Sequence, residues 1–324
     1  MKLTYEQIKN VTVGALWTEQ ESDGIRFYKC TKKQNEAWDA IDPSLGDRAR
    51  TTTGVRLDFY TNSTELRFQC VTNGKYELHI NNLLRQRFVV GSEDFSVGDD
   101  IVCPINDPLG NPLKEARITL YLPSHSIGVL ASVELDDGAY VRTPEYDCKL
   151  LMLGDSITQG WDTEYDSFSY AYMLSRTLNA NSVIQGIGGA MFHESTLDTL
   201  PFDPDIITVA YGTNDYGGRY KTYDELRLHV TKFLDGLASL FRGKKIFVIS
   251  PIWRGQPGAA VMGSFEGCRA IIIEEAERRG MIHIDGLSMC PPIPSLYSDG
   301  WLHPNALGYG FYGENATREI LKHL

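Results

Sequence analysis

The 324-residue sequence lacks any long apolar segment and any block of basic residues. No apolar run approaches the roughly 18 residues that a membrane-spanning helix needs, and the first residues lack the apolar core of a signal peptide. The chain carries 31 Lys and Arg against 42 Asp and Glu, a formal charge of −11, with the acidic residues scattered. These features predict a soluble, cytoplasmic protein that binds neither a membrane nor a nucleic acid, although a secreted chain whose leader had been removed would look the same.

Motifs for metals, disulfides and nucleotides are also lacking. The cysteines show no C-x-x-C spacing, and His193 has no carboxylate at ligand spacing, so reduced core thiols and no metal are predicted. The glycine run from Gly186 to Gly189 would need its third glycine at Met191, which rules out a dinucleotide fingerprint. Phosphate-loop and G-x-S-x-G signatures are missing as well, so no cofactor is predicted. The six cysteines are Cys30, Cys70, Cys103, Cys148, Cys268 and Cys290.

Residues 1–145 carry a pattern with a period of two. Apolar residues fall on every second position in Thr53–Tyr60 and in Thr64–Val71, which are predicted to be neighbouring antiparallel strands. The same period recurs in Lys75–Ile80 and Arg117–Leu122. The segment is therefore predicted to be an antiparallel, jelly-roll-like β-sandwich that walls the active site or builds a homo-oligomer contact, and it ends at a linker over residues 144–146.

From residue 146 to residue 324 apolar runs alternate with amphipathic segments. The alternation predicts a doubly wound parallel sheet with helices on both faces, and it makes this segment the catalytic domain. Thr222 and Glu225 predict a capping box at the start of the clearest helix, which Gly243 ends. The predicted strands are 149–153, 182–185, 205–211, 245–250 and 281–284, and two further helices are predicted at about 263–279 and 304–323.

Reactive side chains follow several of these predicted strands. Ser156 comes directly after the first strand, where a following helix would begin, so it is either a nucleophile at the mouth of the sheet or an N-cap. Three further stretches are predicted to meet above the sheet: Gln185–Ala190, Tyr211–Asp215 and Asp299–Asn305. Together they offer a hydroxyl, an imidazole, a carboxylate and amide donors, which is the set that acyl transfer needs.

The order of these blocks resembles the SGNH (GDSL) hydrolases. Gly154-Asp155-Ser156, Gly189, Gly212-Thr213-Asn214-Asp215 and His303-Pro304-Asn305 match the four blocks of that family. The resemblance covers the whole second domain and implies a flavodoxin-like αβα sandwich that hydrolyses acyl esters without a cofactor. It implies Ser156 as nucleophile and His303 as base, with an oxyanion hole of the Ser156 N–H, the Gly189 N–H and the Asn214 side chain.

The acid of the predicted triad departs from the family pattern. The family usually places its Asp three residues before the His, whereas position 300 is Gly and Asp299 lies four residues before His303. On a helical turn i and i+4 share a face, so Asp299 is predicted to orient His303. A Ser–His dyad stays open, and Asp285 is the reserve candidate, although a loop cap explains it more simply.

The substrate is predicted from architecture and from aromatic residues. A sandwich in front of such a hydrolase resembles the two-domain carbohydrate esterases that remove acetyl groups from sugars, which implies a small-molecule or oligosaccharide acyl ester. Two other functions stay open: an acyltransferase using the same site, and a carbohydrate-binding protein with a degenerate hydrolase domain. Four aromatic residues are candidates for substrate binding, with packing an equal alternative: Phe192, Tyr216, Trp253 and Trp301.

Overall fold

A computed structural model describes residues 1–255 and 260–324 of the chain. These residues divide into two compact units. The first unit comprises residues 1–29 and 50–146, and the second comprises residues 30–49 and 147–324. The domain ranges 1–145 and 146–324 stay a prediction, to which the structure adds that residues 30–49 group with the second unit.

The first unit is built from two five-stranded antiparallel sheets. Their strand orders are β1-β4-β9-β6-β7 and β2-β3-β10-β5-β8. One helix, α1, precedes the strands at Tyr5–Val11. The strands are β1 (Thr12–Val13), β2 (Trp17–Gln20), β3 (Ile25–Tyr28), β4 (Arg56–Thr61), β5 (Glu65–Cys70), β6 (Gly74–Ile80), β7 (Leu83–Val90), β8 (Asp100–Pro104), β9 (Ala116–Tyr121) and β10 (Val129–Leu135).

The prediction that residues 53–60 and 64–71 form neighbouring strands is wrong. The corresponding strands β4 and β5 lie in different sheets, where β4 pairs with β1 and β9 while β5 pairs with β10 and β8. The alternation of apolar and polar residues indicates that one face of a strand is buried, but it does not determine which strand pairs with it. Side chains of both strands, Phe59 and Phe68 among them, meet in one hydrophobic core.

The second unit contains the predicted parallel sheet. Its strands are all parallel and follow the order β12-β11-β13-β14-β15, which is the flavodoxin-like order and confirms the predicted fold class. The strands are β11 (Cys148–Gly154), β12 (Ala180–Gly186), β13 (Ile206–Ala210), β14 (Lys245–Ile249) and β15 (Ile282–Ile284). Its helices are α2 (Lys32–Ile41), α3 (Pro43–Ala49), α4 (Ser156–Gln159), α5 (Tyr170–Thr177), α6 (Tyr223–Leu240), α7 (Phe265–Glu277) and α8 (Ala306–Leu321).

The register of the sheet aligns the carboxyl ends of β11, β12 and β13. Gly154 at the end of β11 pairs with Gly186 of β12 and with Ala210 of β13. The loops that follow these strands therefore leave the sheet side by side, as the sequence pattern predicts. Within the two described stretches of chain, none of the helices combines the length and the apolar character that crossing a bilayer requires.

Helix α6 begins as predicted, with one difference at its cap. Thr222 is the N-cap, and its hydroxyl accepts a hydrogen bond from the N–H of Glu225. The Glu225 carboxylate accepts from the N–H of Lys221 at 2.7 Å rather than from that of Thr222, so the reciprocal bond of a capping box moves back by one residue.

The period-two pattern of residues 1–145 conceals the helices α1, α2 and α3. Local signals mark their starts: α1 and α2 each begin with a complete capping box, Thr4 with Gln7 and Thr31 with Gln34, and α3 begins at a proline. The T-x-x-Q spacing is visible in the sequence and predicts a helix start where the apolar pattern alone does not.

Candidate active site

Ser156 lies in the turn that follows β11. Asp155, not Ser156, is the N-cap of α4, since the Asp155 carboxylate accepts the N–H of Ile157 at 2.9 Å. Helix α4 is a single turn that ends at Gly160, whose left-handed conformation (φ 87°) favours glycine. Ser156 is only 6% exposed. The N-cap interpretation of Ser156 is therefore wrong, and its hydroxyl has no capping role.

Three side chains form a continuous chain of polar contacts at this position. Ser156 Oγ lies 3.0 Å from His303 Nε2. On the other side of the ring, His303 Nδ1 lies 2.8 Å from Asp299 Oδ2. A carboxylate on Nδ1 selects the tautomer that carries its proton there, so Nε2 is left as an acceptor facing the serine hydroxyl. This arrangement can move a proton from Ser156 to His303.

Asp299 is held by the loop that also carries His303. Its carboxylate accepts the backbone N–H groups of Trp301 at 2.9 Å, Leu302 at 2.8 Å and His303 at 3.1 Å. The chain makes this tight turn through Gly300, whose φ of 77° favours glycine. Asp299 thus approaches the imidazole from a loop closed around the carboxylate, and not from the helical turn that the i, i+4 spacing suggests.

The surroundings of Asp299 keep its carboxyl group ionised. Partial burial raises the pKa of Asp299, but the N–H groups of Trp301 and Leu302 and the contact with His303 outweigh it, so that the pKa lies below its ordinary value. A carboxylate that stays charged near neutral pH can stabilise an imidazolium that forms beside it.

Two other acids bear on this site. Asp285 lies at the N-cap of a 3-10 turn, where it accepts the N–H of Leu287 at 3.1 Å and pairs with Arg269. The structure therefore gives Asp285 the role of a loop cap. Asp162, which the sequence pattern did not single out, has Oδ2 at 4.0 Å from His303 Nδ1. Only its place six residues after Ser156 could have suggested it.

Hydrogen bonds connect the loop that carries Gly189 with the loop that carries Asn214. Asn214 Nδ2 donates to the carbonyl of Ala190 at 2.9 Å, and the N–H of Phe192 donates to Asp215 Oδ1 at 3.1 Å. The hydroxyl of Tyr220 donates to the carbonyl of Phe192. An amide side chain has two N–H groups, so the bond to Ala190 fixes the Asn214 amide and leaves its second N–H for another acceptor.

Two buried carboxyl groups lie beneath the site. Asp155 and Asp215 are 2% and 0% exposed. Burial raises the pKa of each to about 7, against an ordinary value of 3.8. In the described part of the chain, Asp215 Oδ2 has no hydrogen-bond partner. A buried carboxyl oxygen without a partner disfavours the charged form.

Replacing Asp215 with Asn is expected to stabilise the protein above neutral pH. The folded-state pKa is raised, so the stability that this group contributes is fully present below about pH 4 and is lost as pH rises through about 7. The amide can still accept the N–H of Phe192 and does not ionise. Urea unfolding should show a larger gain at pH 8 than at pH 5, where the unfolded state is already ionised but only part of the stability is lost, with an upper limit on the order of 4 kcal/mol at pH 8.

The control for this experiment is Asp94→Asn, which removes an exposed carboxylate. Its free energy of unfolding should follow that of the wild type at both pH values. An Asp215→Asn protein whose difference from the wild type is the same at pH 5 and at pH 8 would contradict the raised pKa.

Two of the four aromatic candidates belong to the core. Phe192 is 0% exposed and packs edge-on against Tyr211 and Phe233, and Tyr216 is 2% exposed and packs against Phe265. They offer no surface to a substrate, so their predicted binding role is corrected to packing. Trp253 and Trp301 are partly exposed. Their loops meet where the N–H of Gly255 donates to the carbonyl of Trp301 at 2.7 Å, and their role in substrate binding stays a prediction.

Among residues 1–255 and 260–324, two groups of side chains have metal-ligand chemistry. One is Asp162, Asp299 and His303, which belongs to the site described above. The other is His193, Glu194 and His229, of which the sequence pattern pointed to His193 alone. There Glu194 pairs with Lys232 Nζ at 3.2 Å and with His229 Nδ1 at 3.2 Å. The ammonium group of Lys232 therefore offsets the charge of this carboxylate.

A serine, a histidine and an aspartate in contact at the strand ends of a doubly wound sheet are the groups that a Ser-His-Asp triad uses for acyl transfer. Residues 152–311 match the GDSL-like Lipase/Acylhydrolase family. This match lies within the second unit and confirms the resemblance to the SGNH (GDSL) hydrolases that the four sequence blocks carry. A comparison with curated proteins finds no match.

Several solved structures share this fold over nearly the whole chain. The salicylyl-acyltransferase SsfX3 from a tetracycline biosynthetic pathway superimposes with a TM-score of 0.80 at 17% identity, covering 96% of this chain and 94% of its own. A family two carbohydrate esterase from Cellvibrio japonicus gives 0.68 at 16% identity, with coverage of 96% and 94%. Another from Clostridium thermocellum, in complex with cellohexaose, gives 0.65 at 14% identity, with coverage of 96% and 98%.

Proposed function

We propose that this chain is a serine ester hydrolase that removes short acyl groups, acetyl above all, from carbohydrates or related small-molecule esters. The observation that carries the proposal is the chain of contacts from Ser156 through His303 to Asp299, at 3.0 and 2.8 Å. The fold shared with two carbohydrate esterases supports a sugar ester as the substrate class.

Acylation begins when Ser156 Oγ attacks the ester carbonyl carbon while its proton passes to His303 Nε2. The carbonyl electron pair moves onto the oxygen, which becomes an oxyanion. The tetrahedral intermediate then collapses, the bond to the alcohol oxygen breaks, and His303 returns the proton to the leaving alcohol. The acyl group is left as an ester on Ser156. The proton on His303 Nδ1 stays there throughout and is donated in a hydrogen bond to Asp299, whose negative charge stabilises the imidazolium.

Deacylation repeats these steps with water in place of the serine. His303 Nε2 accepts a proton from a water molecule as that water attacks the acyl carbon, and a second oxyanion forms. Collapse releases the carboxylic acid and returns the proton to Ser156 Oγ. The two half-reactions use one base and one oxyanion hole, so a single site serves both.

The proposal assigns the stabilisation of the oxyanion to three amide donors. The Ser156 N–H lies in the first turn of α4 and so has no partner within the helix. The Gly189 N–H belongs to the loop after β12, and Asn214 offers the second N–H of its side chain. Donors that need no reorganisation favour the charge that develops in the transition state.

Replacing Asn214 with Ala is expected to lower kcat by on the order of 100-fold, with a small change in KM, because one oxyanion donor is lost. Steady-state hydrolysis of an aryl acetate measures both constants. Asn315→Ala is the matched control, since the Asn315 amide donates to backbone carbonyls at residues 288 and 289. A kcat of Asn214→Ala within about twofold of the wild type would remove Asn214 from this role.

The proposed substrate class is tested by a series of aryl esters from acetyl to octanoyl, followed by acetylated mono- and oligosaccharides. We expect the acetyl ester to be hydrolysed fastest and acetate to be released from the sugars. Faster cleavage of the octanoyl ester would overturn the acetyl assignment. Failure to cleave any ester would overturn hydrolysis altogether and would leave the carbohydrate-binding alternative.

Acyl transfer is the second candidate, and the likeness to SsfX3 favours it. Its first half-reaction is the one given above, and an alcohol acceptor then takes the place of water in the second. Product analysis in the presence of a sugar alcohol distinguishes the two. An acylated acceptor formed in place of the free acid would favour the transferase, and free acid at an unchanged rate would favour the hydrolase.

A further inference from the structure

Arg48 reaches the loop of the proposed oxyanion hole from a helix that is distant in sequence. It lies in α3, within the segment 30–49 that groups with the second unit. Its Nη1 donates to the carbonyl oxygen of Gly188 at 2.8 Å, across 140 positions of sequence. The contact is partly buried, and the donor is a guanidinium, so this is a charge-assisted hydrogen bond.

The carbonyl that Arg48 holds belongs to the same peptide group as the Gly189 N–H. The described peptide bonds are all trans, and in a planar trans peptide the C=O and the N–H point in opposite directions. Fixing the oxygen of Gly188 on one side therefore fixes the direction of the Gly189 N–H on the other. A cation on the oxygen also polarises the amide, which makes its N–H a stronger donor.

This peptide group is the central one of a four-residue turn, which the N–H of Ala190 closes onto the carbonyl of Ile187 at 2.9 Å. It joins two glycines, and Gly189 has a φ of 85°, so the backbone can rotate there at low cost. The preceding N–H, that of Gly188, is held by Gln159 Oε1 at 2.8 Å. The hydrogen bond from Arg48 to the Gly188 carbonyl is the second contact that holds this residue, at its carbonyl end.

A side chain at position 189 would crowd the same guanidinium. A Cβ on Gly189 would lie 3.0 Å from Arg48 Nη1, 3.3 Å from Leu45 and 3.5 Å from Arg219 Nη2. Arg219 itself pairs with Asp42 at 3.4 Å. Arg48 therefore holds the peptide through a hydrogen bond, whereas Arg219 contributes a nearby positive charge that another carboxylate partly offsets.

We propose that Arg48 is a positioning residue for the oxyanion hole, which acts by fixing and polarising the peptide between Gly188 and Gly189. This inference rests on the proposed function, since it assigns the Gly189 N–H to the oxyanion. The segment 30–49 thus takes part in building the active site of the second unit.

The test compares Arg48→Met, Arg48→Lys and Arg219→Met. We expect Arg48→Met to lower kcat on an aryl acetate by about 10- to 100-fold with KM within about twofold, since an oxyanion donor is weakened and ground-state binding is not. Arg48→Lys should recover part of the loss, because a lysine keeps the charge but lacks the planar fork. Arg219→Met, which removes a charge without touching Gly188, should stay within about threefold of the wild type.

A boronic acid that forms a tetrahedral adduct gives a readout that a purely structural role would not move. Its inhibition constant should rise with Arg48→Met by the same factor by which kcat/KM falls, at an unchanged melting temperature. Values within twofold of the wild type for kcat and for boronate binding would overturn the proposal.

A crystal structure of Arg48→Met separates this inference from the proposed function. If the wild type hydrolyses esters and the Gly188–Gly189 peptide keeps its orientation in the variant, the positioning role is wrong while the hydrolase assignment stands. If the wild type cleaves no ester, the proposed function fails, and a reoriented peptide would still establish what Arg48 holds.

Discussion

Replacing Ser156 with Ala is expected to reduce kcat for ester hydrolysis by on the order of 10⁵- to 10⁶-fold, which is the largest effect predicted for this chain. The substitution removes the atom that carries the acyl group, and the remaining donors can still hold an oxyanion, so a residual rate above that of water should persist. The serine is nearly buried and alanine is smaller, so the fold should be retained. Hydrolysis of an aryl acetate by protein with an unchanged circular dichroism spectrum measures the loss.

The same experiment has a matched control and a double variant. Ser288→Ala removes an exposed serine hydroxyl whose bond goes to the Asp285 carbonyl, and it should leave kcat unchanged. Ser156 and His303 act as a unit, so the double variant Ser156→Ala/His303→Ala should lose about as much as either single variant. If the losses of the two single variants multiply in the double variant, Ser156 and His303 do not share one proton transfer. A Ser156→Ala protein that keeps a tenth of the wild-type kcat would contradict the assignment of Ser156 as the nucleophile.

Replacing Asp299 with Asn is expected to lower kcat by on the order of 10³- to 10⁴-fold. The side-chain oxygen of Asn can accept the backbone N–H groups that Asp299 Oδ1 accepts, so the loop should keep its shape. Its amide nitrogen would face His303 Nδ1 as a donor and would favour the tautomer with the proton on Nε2. That tautomer cannot accept the serine proton. Steady-state kinetics and thermal unfolding, measured together, separate this effect from loss of the loop.

The comparison with Asp162→Asn decides which carboxylate orients the histidine. Asp162 Oδ2 lies 4.0 Å from His303 Nδ1, against 2.8 Å for Asp299 Oδ2. We expect Asp162→Asn to cost no more than about threefold in kcat, because hydrogen bonds weaken steeply beyond about 3.2 Å. A larger loss for Asp162→Asn than for Asp299→Asn would exchange their roles. Losses below tenfold in both would favour a Ser–His dyad.

The second unit could be predicted from sequence because each of its elements carries its own signal. Buried parallel strands read as short apolar runs, and the helices between them keep a period near 3.6. The sheet order then follows from the rules for such connections, so that the residues after β11, β12 and β13 are expected to share one edge. For this reason the sequence alone places the loops of Ser156, Gly189 and Asn214 side by side.

The remaining features depend on contacts that local sequence does not encode. The bond from Arg48 to Gly188 joins positions 140 residues apart, and the Asp42-Pro43 signal that starts α3 does not indicate which loop the helix contacts. The strands that pair with β4 and with β5 depend on how the two sheets are assembled. The alternation of apolar and polar residues along each strand is the same whichever partner it takes. The reach of Asp299 to His303 depends on a turn through Gly300, which the i, i+4 spacing does not describe.

Labelling with a fluorophosphonate tests whether Ser156 carries the acyl group. Such a reagent forms a stable tetrahedral ester with an activated serine, and the adduct is located by mass spectrometry of the digested protein. We expect one equivalent of label on the peptide that contains Ser156, with esterase activity lost in parallel and with no labelling of Ser156→Ala. Complete loss of activity with the label on another side chain, or full activity in protein labelled at Ser156, would contradict it.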